Sequence, residues 1–126
     1  MKISRIRVFK ADLPYVDGIY RWGRNNAIEV ACSSIVVVDT AEGISGCGEF
    51  CPCGENYMEA HSEGVEAAAR LLAPRLLGQD ARQVYTLERL MDNVILGHGY
   101  AKAPFDAAFR DILGKATGAC LVTTWR

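Results

Sequence analysis

Residues 101–118 read AKAPFDAAFRDILGKATG, and the remaining elements can be ordered around this stretch. Phe105, Phe109, Ile112 and Leu113 recur at three- and four-residue spacing, which draws one apolar stripe along a helix. Lys102–Asp106, Asp106–Arg110 and Asp111–Lys115 place opposite charges one turn apart, a spacing that supports a helix. Gly118 supplies the left-handed stop that helices favour just past their last turn. The stretch therefore predicts a helix.

Upstream, the same period continues. Asp80 is placed to cap a second helix that carries Tyr85, Leu87, Leu90, Met91 and Val94 and ends near Gly97. Val65, Ala68, Ala69 and Leu72 form the stripe of a first helix, interrupted at Pro74. Before Tyr57 the period changes to two. Residues 2–11 put Ile6 and Val8 on one face and Arg5 and Arg7 on the other, as a strand does. A loop, LPYVDGIYRWGRNN, follows it. The β-branched run AIEVACSSIVVVD and the short ISGCGEF then flank the turn signal Thr40-Ala41-Glu42-Gly43, which reads as a hairpin with a connection of about four residues. Strands first and helices after predict an α+β fold: a three-stranded antiparallel, meander-like sheet followed by a bundle of about three helices on one face.

The chain has 126 residues, half of them hydrophobic, and a net charge of −1. That suits one domain with a real core. No clustered Lys and Arg mark a nucleic-acid partner. The first residues lack an apolar signal region, and no apolar run reaches the ~20 residues that span a bilayer. A cytoplasmic protein is expected. Five cysteines are an odd number without a secretory signal, which predicts reduced thiols.

Three of those cysteines sit in SGCGEFCPCGENY (residues 45–57). A zinc site from Cys47, Cys51, Cys53 and His61 would have only one knuckle, where structural zinc uses two. Cys47 is expected to pack as a small hydrophobe. Gly46-Cys47-Gly48 lacks the further glycine and the Lys-Ser/Thr pair of phosphate loops, and Glu49 would repel phosphate. A Cys51 or Cys53 nucleophile with His61 or His98 needs a proximity that spacing cannot supply. His98 reads as a polar residue at a helix entrance. Glu49, Glu55, Glu59 and Glu63 could be hard-metal ligands, with Glu59 and Glu63 reading instead as a solvated helix face. Tyr15, Tyr20 and Trp22 in the first loop, with Tyr57, either wall an apolar or cationic ligand site or fold back over the helices.

The strand-plus-loop GCGEFCP and the helix AKAPFDAAFRDILGKATG resemble the N-terminal capping domain of the enolase superfamily, mandelate racemase/muconate lactonizing branch. Asp106, Ala108, Asp111, Gly114, Lys115 and Gly118 match that branch's helix signature. DLPYVDGIY, GEFCPCGENY and GHGYAKA are most similar to racemases and epimerases of proline betaine or hydroxyproline betaine. The resemblance covers residues 1–118. It implies that Tyr15–Arg24 and Cys51–Tyr57 are two lid loops over the mouth of a catalytic barrel. Tyr20, Trp22 and Tyr57 would then be substrate-binding residues for a small carboxylate. The family abstracts a proton α to a carboxylate with a Lys or His base, and Mg²⁺ stabilises the enolate. Those groups come from the barrel, so the resemblance assigns this chain no catalytic residue, no metal ligand and no cofactor of its own.

A barrel needs roughly 200 further residues, and residues 119–126 depart from the family pattern. Read from the third base of the Gly118 codon, permitted codons give Arg-Val-Pro-x-Asp-Asp-Leu-Ala, which looks like family sequence. A frameshift or truncated reading is the expectation, leaving a capping domain inactive alone. A stand-alone ligand-binding or interaction module is the alternative, and a small cysteine metal-binding domain comes third. Apolar surface without a barrel to cover it would favour self-association.

Overall fold

The computed structural model describes residues 1–120 apart from Arg24 and Glu55. Most of the atypical tail thus lies outside the described residues, as do one position of the first loop and one candidate acidic ligand. Eight elements follow in order: β1 (Ile3–Pro14), β2 (Tyr20–Trp22), β3 (Asn26–Ile28), β4 (Val30–Thr40), β5 (Ser45–Phe50), α1 (Glu63–Leu76), α2 (Val84–Val94) and α3 (Gly99–Thr117). The β-branched run became β4, the centre of an antiparallel sheet ordered β1-β4-β5. Val36 and Val38 are fully buried on the helix-facing side of β4, against Phe105, Phe109 and Ile112 of α3 and Leu72 and Leu76 of α1. The α+β architecture expected from the order of elements is the one observed.

β5 and α3 approach more closely than side chains would permit. Gly46 and Gly48 are buried on the helix-facing side of the strand. A Cβ at Gly46 would run into the carbonyl oxygen of Ala108, and one at Gly48 into that of Pro104. The helix backbone therefore rests on the strand backbone, and glycine is what makes room. The signature side chains of α3 complete this joint. The Cys47 N–H donates to Asp111 Oδ2 at 3.0 Å, and Lys115 Nζ donates to the Ser45 carbonyl at 2.8 Å. An edge strand would otherwise leave these groups to solvent or to another chain.

The opposite face of the sheet stays polar at one end. Asp39 there accepts from Ser45 Oγ at 2.6 Å, Arg5 Nε at 2.8 Å and Arg7 Nη2 at 3.0 Å. The Ser45 hydroxyl first, and then Arg5, lower its carboxyl to about 2.

Several local expectations are corrected. Pro74 does not interrupt α1: it sits one turn from the end, and the fully buried Leu76 holds the last residues in the helix. Asp80 does not cap α2. Its carboxylate accepts from the Met1 amino group at 2.9 Å and from Arg82 Nη2 at 2.7 Å, and Gln83 precedes the helix without a side-chain cap. α2 stops at Val94, short of Gly97. Lys102 turns from Asp106 to Asp92 on α2, with Nζ and Oδ1 2.7 Å apart, because Asp106 is engaged by Arg110. Cys47 is exposed: β5 turns its glycines inward, so the residue between them faces out. Glu59 precedes α1 and shares no helix face with Glu63.

Candidate functional site

The first loop is more ordered than its turn-rich sequence suggests. Gly18, at φ +84°, closes a turn with the Gly18 N–H donating to the Tyr15 carbonyl at 3.0 Å. β2 and β3 then pair as a short ribbon with Tyr20 opposite Ile28 and Trp22 opposite Asn26. Residues two apart on a strand share a face, so Tyr20 and Trp22 stand side by side.

Their rings form a continuous ladder. Tyr15 stacks on Tyr20 with centroids 5.5 Å apart, and Tyr20 on Trp22 at 6.0 Å. Trp22 meets Tyr57 edge to face, at 6.0 Å and 87°. This last contact crosses from the loop after β1 to the loop after β5, whose Tyr57 N–H donates to the Gly54 carbonyl at 3.1 Å. The three sequence-predicted residues Tyr20, Trp22 and Tyr57 are therefore brought together. Tyr20 is 42% and Tyr57 52% exposed, whereas Trp22 is half-buried between them. Tyr57, the half-exposed end of this supported ladder, can offer its ring to an apolar or cationic group, with the exposed part of Tyr20 beside it.

Cys51 and Cys53 lie near Tyr15. Burial, and then the neighbouring Cys53 and Glu49, push the Cys51 thiol up, which disfavours the nucleophilic or metal-binding thiolate. Burial and the same two thiols, Cys53 ahead of Cys51, raise the Tyr15 hydroxyl. His61 and His98 flank Tyr100 instead, with ring centroids 6.3 and 6.0 Å from it. With Met58 and Ala60 they line an open cavity of about 620 Å³. His98 is the residue before α3, as its polar character at a helix entrance suggested. Tyr100 was not singled out by the sequence, although a ring two residues after His98 carries a signal. Gly54, at φ +94° and under the Trp22 indole, was also missed as an individual residue.

Among the described residues, no three His, Cys, Asp or Glu side chains are grouped to hold a metal ion. No helix among them is long and apolar enough to cross a membrane.

Residues 25–123 match the family model for the mandelate racemase/muconate lactonizing enzyme N-terminal domain. A cis-3-hydroxy-L-proline dehydratase of Roseibium aggregatum is 45% identical over 98% of this chain and 34% of its own length. A mandelate racemase/muconate lactonizing enzyme of Roseovarius nubinhibens superposes with a TM-score of 0.90 at 71% identity, over 92% of this chain and 31% of that one. A member of the enolase superfamily from the same organism, solved with magnesium, gives 0.83 at 39% identity over 92% and 31%. The chain spans about a third of the length of these relatives. With its meander sheet, its three helices and its α3 signature laid on β5, the chain belongs to the mandelate racemase/muconate lactonizing enzyme family of the enolase superfamily, of which it carries the N-terminal domain.

Proposed function

We propose that residues 1–118 form a capping domain that selects the substrate of a Mg²⁺-dependent racemase, epimerase or dehydratase and supplies no catalytic group. The observation that carries this reading is the ring ladder joining the two loops, with Tyr20 and Tyr57 partly exposed to solvent. Leu13, Val16, Ile19 and Val30 are also exposed around the same loops. An apolar surface of this kind suits the mouth of a barrel, and without one it favours self-association. The metal and the base that removes the proton α to the carboxylate belong to the remaining two-thirds of the enzyme.

The substrate is a small carboxylate. An amino-acid betaine fits the ladder, since a quaternary ammonium over a tyrosine face gains roughly 0.5–2 kcal/mol. A hydroxyproline, which the Roseibium relative is named for, offers a protonated nitrogen in the same place.

The test is a chimaera: residues 1–118 joined to the barrel of the Roseovarius relative that is 71% identical in this region. Solvent deuterium should enter the α position of a proline betaine or a hydroxyproline when Mg²⁺ is present, while the 126-residue chain alone gives none. A folded chimaera that binds Mg²⁺ yet exchanges no substrate of this class would overturn the reading.

A further inference from the structure

The two loops touch through side chains that differ in exposure. Trp22 is half-buried and has neighbours on both sides: Tyr20 stacked at 6.0 Å in its own ribbon, and Tyr57 at 6.0 Å and 87° in the other loop. Its benzene end also lies over Gly54, where even an added Cβ would sit at ordinary contact distance, 3.7 Å from Cη2. The backbone bonds that the described residues make here stay within each loop or its flanking strands. Tyr15 N–H donates to Glu29, Gly18 N–H to Tyr15, and Tyr57 N–H to Gly54. Among the described residues, rings rather than a shared sheet therefore carry the connection.

We propose that Trp22 is a positioning residue that couples the loops, so that the ribbon β2–β3 and the segment carrying Gly54 and Tyr57 are held as one body. This rests on the capping reading above for its purpose, but its physical content does not depend on the substrate. The indole contact sets the angle of the half-exposed Tyr57 ring. A ligand that orders Tyr57 then orders Tyr20 as well, and one binding event sets both walls.

The test uses the 126-residue chain and millisecond hydrogen exchange, read at the bonded amides of Gly18 and Tyr57. Trp22→Ala should speed exchange at Tyr57 as well as at Gly18, by about two- to tenfold, the range one ring pair can contribute. Trp22→Phe keeps a ring and should recover most of the protection. Tyr15→Phe should leave both amides near their original rates. Tyr57→Ala supplies the reciprocal reading, a faster Gly18 amide with β4 unchanged, and it decides the matter if Trp22→Ala loosens the whole domain. Substitutions that speed exchange only in their own loop would overturn the coupling. Because no substrate enters the measurement, its outcome is separable from that of the chimaera.

Discussion

Gly48→Ala is expected to lower the stability of the domain by about 3 kcal/mol or more, a fall in melting temperature of roughly 10–20 °C. The added methyl would coincide with the Pro104 carbonyl oxygen, a backbone atom fixed within α3. No side chain can rotate to relieve this contact. The helix must withdraw from the strand, which loosens Phe105 and Phe109, both fully buried. It also strains the Asp111 and Lys115 bonds to β5. Cys47→Ala changes an exposed residue of the same strand and should stay within about 0.5 kcal/mol of the parent. Urea unfolding of both variants checks this. Near-equal midpoints would mean that the strand and helix are not in backbone contact.

Arg110→Ala should cost about 3–5 kcal/mol at neutral pH. The guanidinium is 8% exposed and bridges two helices, donating to Glu88 Oε1 on α2 and to Asp106 Oδ2 on α3. Removing it leaves two partly buried carboxylates facing each other without a counter-charge. Burial, and then Asp106, already raise the Glu88 carboxyl above its usual 4.5, with Arg110 opposing them. Protonated Glu88 can donate to Asp106, whose Oδ1 is buried and otherwise without a donor. A carboxyl raised on folding adds stability below its unfolded value, and that stability is lost as pH rises through the folded one. The deficit of Arg110→Ala should therefore shrink toward pH 4.5. Glu88→Gln keeps a donor for Asp106 and should gain on the parent as pH rises above about 4.5. Thermal unfolding from pH 4.5 upward reads both effects; a deficit independent of pH would contradict the shared proton.

What the sequence revealed followed from strong periodic patterns. The α3 stripe and the β-branched run of β4 are long enough for burial on one face to impose the period, and the helix and central strand are where the patterns put them. The two glycines of β5 were legible as a motif, but their cause was not. A close approach to Pro104 and Ala108 joins residues about sixty positions apart. The β2–β3 ribbon was hidden because strands of three residues are too short to show an alternation, and Gly23 and Asn25 dominate the local signal. Asp80 and Lys102 were assigned local partners by spacing, while tertiary contacts gave them Met1, Arg82 and Asp92. For the site, ring composition pointed to Tyr20, Trp22 and Tyr57. It could not divide them into two partly exposed rings and one joint.

The most direct measurement of the capping role is the effect of Tyr57→Ala and Tyr57→Phe on kcat/KM and melting temperature in the barrel chimaera. Tyr57 is half exposed and contributes little to the core. The account predicts that Tyr57→Ala melts close to the parent yet lowers kcat/KM for a betaine by the roughly 0.5–2 kcal/mol of a ring–cation contact. Substrates without a cationic nitrogen should be less affected, and Tyr57→Phe should behave like the parent. A Tyr57→Ala enzyme that melts much lower, with the same relative kcat/KM among substrates, would show a structural tyrosine and contradict the account.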